Sequence, residues 1–178
     1  MSKLFDLQNK NVLLTGASKG MGLAMAQGLV NHGANVVISS RKLDQCQKAV
    51  DTVNESVQQE KAFAFSCNAS SKDELSALVD FSMSKLGSIS TLVCNAGVNS
   101  FFGSMSEIDD ESYDKTMNTN VKSNHWLINM VSPSMKESGG GSIMITSSIA
   151  AFDASETLGT YSISKLAVLG LVLSLIHI

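Results

Sequence analysis

The 178 residues, 44% hydrophobic and 16% charged, describe a soluble globular chain with apolar content for one sizeable core, so a single domain is expected. A net charge of −3, with lysines scattered and no basic run, excludes the electrostatic footprint of a nucleic-acid binder. Cys46, Cys67 and Cys94 are far apart and form neither a Cys-x-x-Cys motif nor a Cys/His cluster of metal-ligand spacing; they read as reduced thiols of a cytoplasmic protein without a bound metal.

Residues 1–10, carrying Lys3, Asp6 and Lys10, lack the apolar stretch of a signal peptide. Beyond them, short β-branched runs alternate with longer amphipathic stretches, the pattern of βαβ units that build a parallel sheet. Residues 11–15 form the first predicted strand and 21–32 a helix stopped by Gly33. A strand follows at 35–39, a helix at 43–60, a strand at 62–67, a helix at 72–86 ending before Gly87, and a fourth strand at 91–95. A long helix from 111 to about 131 is expected to stop near Pro133, and Gly139-Gly140-Gly141 turns the chain into a fifth strand at 142–146. The last helix opens at Thr160. Its apolar run, 166–178, is too short to span a bilayer, and no membrane partner is expected.

Four short stretches carry chemistry. The loop Thr15-Gly16-Ala17-Ser18-Lys19-Gly20-Met21-Gly22 leaves a strand and opens a helix, where glycines let the backbone approach a pyrophosphate and the helix N-terminus favours the anion. After the second strand the chain reads Ser39-Ser40-Arg41-Lys42, without the acidic residue that would meet a ribose 2′-hydroxyl. Arg41, with Lys19 nearby, suits a 2′-phosphate instead. The fourth strand ends in Cys94-Asn95-Ala96-Gly97, small residues at the carboxyl edge of the sheet where a doubly wound fold places its ligand crevice. Tyr161 and Lys165 lie one helical turn apart, downstream of Ser147 and Ser148. A free tyrosine, with a pKa of about 10, is a poor proton donor or acceptor near neutrality, and an ammonium on the same helix face favours its phenolate.

On these residues the chain resembles the classical short-chain dehydrogenase/reductases, over 7 to about 172. The glycine loop matches the family spacing Thr-Gly-x-x-x-Gly-x-Gly, and Cys94-Asn95-Ala96-Gly97 matches its Asn-Ala-Gly element with cysteine in place of the commoner first asparagine. The resemblance implies a Rossmann-type α/β fold, a doubly wound parallel sheet with strands one to five present and later ones missing. It implies a catalytic tetrad of Asn120, Ser148, Tyr161 and Lys165, in which Ser148 is better spaced than Ser147. The cofactor contacts implied are Gly16, Ser18, Lys19, Gly20, Met21, Gly22, Arg41, Asn95, Ala96 and Gly97, with Tyr161 and Lys165. Asn68 is included, its contact left open, because relatives often carry an aspartate there. The activity implied is hydride transfer between NADP(H), with NAD(H) as the lesser cofactor, and a small carbonyl or alcohol substrate, in a homo-oligomer. Ser148 would bond the carbonyl oxygen, Tyr161 supply the proton, Lys165 hold the nicotinamide ribose, and Asn120 anchor a relaying water. Similar sequences include 3-oxoacyl carrier-protein reductases and carbonyl reductases. A dinucleotide-binding module without catalysis is the alternative; a sugar-nucleotide epimerase is disfavoured by the loop spacing.

The end of the chain has its own reading. After Val172 it continues Leu173-Ser174-Leu175-Ile176-His177-Ile178, without the charged surface of an amphipathic helix. These residues can be encoded by a transposon-end adapter of sequencing libraries. The expectation is therefore a family domain over 1–172, a non-native tail over 173–178, and an interrupted, inactive fragment; a genuine short apolar end is the alternative.

Overall fold

In the computed structural model, residues 3–176 are described; His177 and Ile178, part of the expected tail, lie outside the described residues. Five strands, β1 (Asn11–Thr15), β2 (Asn35–Ser40), β3 (Ala62–Ser66), β4 (Thr91–Cys94) and β5 (Ser142–Ile145), form one parallel sheet in the order β3-β2-β1-β4-β5. The order reverses between β1 and β4, which opens a crevice at the carboxyl ends of the strands. Helices α1 (Gly20–Asn31) and α2 (Leu43–Val57) follow β1 and β2, α3 (Lys72–Leu86) follows β3, and α4 (Asp110–Met117) and α5 (Ser123–Glu137) lie between β4 and β5; α6 (Gly159–Leu175) comes last.

The alternating side chains of each strand enter two separate cores. Val12, Leu14, Val36, Ile38 and Val93 pack with Ala26 and Val30 of α1 and Val50 and Val53 of α2. Leu13, Val37, Leu92 and Cys94 point the other way, onto Leu75 and Leu78 of α3 and Leu127, Ile128 and Val131 of α5. Burial on both faces is why the inner strands are continuous apolar runs rather than alternating ones. β5 is an edge strand with Met144 exposed, and α6 leaves Leu166 and Leu173 exposed, as is Ile176 just after it, while Leu171 and Leu175 touch the second core.

Apart from shifts of a single residue, three expectations about the helices are corrected, each for a local reason. α2 stops at Val57 rather than residue 60 because Gln58 turns left-handed (φ 53°) and the Asn54 amide oxygen accepts the main-chain N–H groups of Lys61 and Ala62 at 2.9 and 2.8 Å, delivering the chain into β3. The predicted long helix is interrupted by a π-turn, Asn118–Lys122, between α4 and α5. Pro133 does not end α5, which runs on to Glu137. Proline removes one intrahelical hydrogen bond near that end, and burial of Met135 holds the final turn.

Candidate active site

The crevice is assembled from the strand ends. Gly16, at φ 64°, follows β1 so closely packed that a β-carbon there would lie 2.7 Å from the Ala96 α-carbon. A β-carbon on Gly22 would run into the Gly16 carbonyl oxygen and the Ala17 α-carbon. Thr15 Oγ1 accepts the main-chain N–H groups of Asn95 and Ala96, each at 3.1 Å. The Asn95 amide donates back to the carbonyl oxygens of Thr15 (3.2 Å) and Gly16 (2.9 Å). The loop between β1 and α1 is thereby clamped to the end of β4. Lys19 caps α1 without a side-chain hydrogen bond, and the first turn of α1 carries no acidic residue, so the positive end of the helix dipole faces the crevice uncompensated.

A cavity of about 390 Å³ lies over this loop. It collects Gly16, Ser18 and Lys19 from the loop, Arg41 after β2, Asn68 after β3, and Asn95, Ala96 and Gly97 after β4. Gly20, Met21 and Gly22 do not line it: Gly20 (φ 57°) makes the turn, Met21 is 69% exposed, and Gly22 is buried beneath the loop. Lys42 and Lys115 line the cavity and were not among the residues expected there. Lys42 adjoins Arg41 and could have been included; Lys115 arrives on α4, with no local motif to mark it. Among the described residues, no aspartate or glutamate lines this cavity. The Asn68 side chain is turned to its own loop, its oxygen accepting from Ser70 N–H at 3.2 Å. Cys67, on the cavity wall, has its thiol pushed up to about 12, by burial first and the charge of Glu74 second, and stays protonated.

The four expected catalytic residues lie outside the lining of that cavity, joined to it through the strand ends. Lys165 is 4% exposed, and its Nζ donates to the Thr146 carbonyl oxygen at 2.8 Å and sits 5.6 Å from the centre of the Tyr161 ring. Burial lowers its pKa, since a charged ammonium is poorly solvated there. Tyr161 is half-buried. A β-carbon on Gly97 would stand 3.3 Å from Lys165 Nζ and 3.4 Å from Asn120 Oδ1, so the glycine permits the loop after β4 to pass close to both.

The adjacent serines have different duties. Ser147 Oγ donates to the Lys165 carbonyl oxygen at 2.8 Å and pins α6 to the end of β5. Ser148 Oγ accepts from Ala150 N–H at 3.2 Å, capping the short 3₁₀ turn Ile149–Ala151, which leaves its hydroxyl proton available for another acceptor. Asn120 is fully buried in the π-turn; its Oδ1 accepts from Val98 N–H at 2.8 Å and its Nδ2 donates to Val98 O (2.8 Å) and Ser164 Oγ (2.9 Å). A buried amide satisfied in this way locks the loop after β4 against α6.

A family model described as "short chain dehydrogenase" matches residues 10–177. The chain belongs to the short-chain dehydrogenase family. It is 38% identical over 178 residues to the dehydrogenase/reductase SDR family member 4 of Homo sapiens, a match covering 98% of this chain and 62% of that protein. Among solved structures it resembles a 7α-hydroxysteroid dehydrogenase complexed with NADH and 7-oxo glycochenodeoxycholic acid, with a TM-score of 0.86 and 34% identity over 92% of this chain and 62% of the other. NAD⁺-bound xylitol dehydrogenase superposes with a TM-score of 0.87 at 25% identity, covering 93% of this short-chain dehydrogenase and 63% of that chain. The chain thus spans about 62% of the length of the curated relatives it matches.

Proposed function

We propose that this short-chain dehydrogenase moves hydride between NADP(H) and a carbonyl or alcohol substrate, with Tyr161 as the general acid and base. The observation that carries the reading is the buried Lys165 beside Tyr161, hydrogen-bonded to the strand end that also braces the glycine loop. When bound, the nicotinamide supplies or accepts the hydride. The residues of the chain do the rest. Ser148 donates its free O–H to the substrate oxygen, stabilising the alkoxide that develops there. Tyr161 gives that oxygen a proton in reduction and removes one in oxidation. Lys165 has donors beyond its bond to Thr146 for the hydroxyls of a ribose. Asn120 holds the loop through Val98 and is the anchor proposed for a relaying water.

The cofactor fits the residues present. Gly16, Ser18 and Lys19 would meet a pyrophosphate at the start of α1, and Lys19, Arg41 and Lys42, on a cavity that no carboxylate lines among the described residues, would favour the additional 2′-phosphate of NADP(H). NAD(H) is the alternative, and NADH and NAD⁺ are the cofactors of the two solved structures named above. The exposed apolar residues Ile163 and Leu166 of α6 support a homo-oligomer formed through α5 and α6, and three buried free cysteines suit a reducing cytoplasm. Among the described residues, no helix is long and apolar enough to cross a membrane.

Tyr161→Phe in a full-length form of the protein tests the reading. Turnover of NADPH with a ketone should fall by about 10²–10⁴-fold while NADPH affinity stays within about twofold, because only the proton donor is lost. Near-normal turnover in this variant would assign the acid elsewhere.

A further inference from the structure

Two hydroxyls join the wall of the cofactor cavity to the π-turn. Ser70, on the loop after β3, and Thr119, inside the π-turn, are 49 residues apart in the chain, yet Ser70 Oγ and Thr119 Oγ1 lie 2.7 Å from one another. Both residues line the cavity, and Thr119 is 7% exposed. Two hydroxyls bonded to each other use one proton, so the pair keeps a second proton and free lone pairs for a ligand on the cavity side. The Ser70 loop is itself anchored. Asn68 N–H donates to Glu74 Oε2 at 2.8 Å, and Ser71 Oγ caps α3 by accepting from Glu74 N–H at 3.3 Å.

Thr119 directly precedes Asn120. In the π-turn Ser123 N–H, the α-helical partner of the Thr119 carbonyl oxygen, donates to Asn118 O instead, and Ser123 Oγ donates to Thr119 O at 2.6 Å in its place. Asn124 Nδ2 donates to Asn120 O at 2.7 Å. From Asn120 the line continues: its Nδ2 donates to Ser164 Oγ at 2.9 Å, and that hydroxyl donates to the Tyr161 carbonyl oxygen at 2.7 Å. Hydrogen bonds and a single peptide link therefore run from the cavity wall to the helical turn that holds Tyr161. A π-turn has an α-helical alternative one register away, which gives it two arrangements. A ligand biases such an element only by bonding one arrangement better than the other.

We propose that Ser70 and Thr119 are positioning residues: the adenosine half of a nucleotide, bound at the Arg41 and Asn68 end of the cavity, bonds the hydroxyl pair and holds the π-turn in the register that sets Asn120 against Val98 and Ser164. The inference rests on the reading of this cavity as a nicotinamide-dinucleotide site, and it adds a path by which filling the cavity orders the residues beside Tyr161.

The chain carries its own reporter. Trp126 is its only tryptophan, and the ammonium of Lys122, the last residue of the π-turn, lies 5.2 Å from the centre of the indole ring. A cation at that distance interacts with the ring, so a change of register that moves Lys122 should shift the Trp126 emission. The probe is adenosine 2′,5′-bisphosphate, which has the adenosine half of NADPH and no nicotinamide. It is titrated by calorimetry and by Trp126 emission, excited where adenine does not absorb.

In the unmutated chain the bisphosphate should bind and shift the emission. Thr119→Val keeps the side-chain shape and deletes the hydroxyl; it should bind about two- to tenfold more weakly, the size of one ordinary hydrogen bond, and show no shift at saturation. Ser70→Ala breaks the same bond from the loop side, should behave alike, and carries the test if the buried valine upsets folding. Thr119→Ser should keep both affinity and shift. Binding to the unmutated chain without a shift, or an undiminished shift in either folded variant at saturation, would overturn the pair and leave the nucleotide reading standing. Calorimetry that shows no binding to the unmutated chain would overturn the nucleotide reading and the pair with it.

Discussion

The ammonium of Lys165 donates to the carbonyl oxygen of Thr146 at 2.8 Å, and the hydroxyl of that same Thr146 donates to Asn95 Oδ1 at 3.2 Å. Since the Asn95 amide in turn holds the Gly16 carbonyl oxygen at 2.9 Å, one residue at the end of β5 joins the buried lysine to the glycine loop. The Thr146 hydroxyl is the part of this line that can be deleted without touching either end. Thr146→Val should leave Asn95 Oδ1 without its donor, free the amide to turn, and weaken NADPH binding by about two- to tenfold, the size of one ordinary hydrogen bond. Thr146→Ser should restore it. Fluorescence titration of NADPH with the three proteins measures this, and equal affinities would mean that the line carries no coupling.

The proposed preference for NADP(H) rests on the cationic cavity. Arg41→Asp exchanges a charge-assisted contact of about 1.5–3 kcal/mol for a carboxylate that suits a free ribose hydroxyl, so NADPH affinity should fall by roughly ten- to a hundredfold while NADH affinity holds or improves. Titrating both cofactors with both proteins provides the check. Equal affinities in the unmutated chain would sink the preference for NADP(H). Lys115→Ala, on the other wall of the cavity, reports on the cation that no motif marked.

The two serines give a ranking. In a full-length form of the protein, Ser148→Ala should impair turnover far more than NADPH binding, because the hydroxyl lost is the one with a free proton. Ser147→Ala deletes the bond to the Lys165 carbonyl oxygen and should act through α6, lowering stability by about 0.5–1.5 kcal/mol and turnover mildly. Urea unfolding beside steady-state kinetics separates these effects, and a reversed ranking in turnover would move the catalytic role to Ser147.

The parallel sheet was readable because its inner strands are apolar on both faces and are punctuated by Gly33, Gly87 and Gly139-Gly140, each in a left-handed conformation the turn demands. Spacing alone also placed Tyr161 and Lys165 on one helix face. Less legible was everything set by side chains far apart in the chain. Asn120 lies mid-helix by pattern, yet its bonds to Val98, which sits after β4, accompany a π-turn that no local propensity announces. Thr146 looks like the last residue of a strand until Asn95 and Lys165 are brought to it. Lys115 reaches the cavity only through the placement of α4.

Burial of Lys165 makes stability depend on pH in a definite direction. Its folded pKa lies below the ordinary lysine value of 10.5, so in the interval between the two the unfolded chain binds the extra proton. Stability must then rise with pH across that window, and the cost of burying the ammonium is fully present below the folded pKa. Lys165→Met keeps a long apolar stem and removes the charge. It should therefore be more stable than the parent at pH 7, and the difference should shrink as pH climbs toward 10.5. Urea midpoints for both proteins at several pH values between 7 and 10 supply the measurement, other titrating groups cancelling in the comparison. A Lys165→Met variant less stable than the parent at pH 7, by an amount independent of pH, would show that the bond to Thr146 outweighs desolvation of the ammonium.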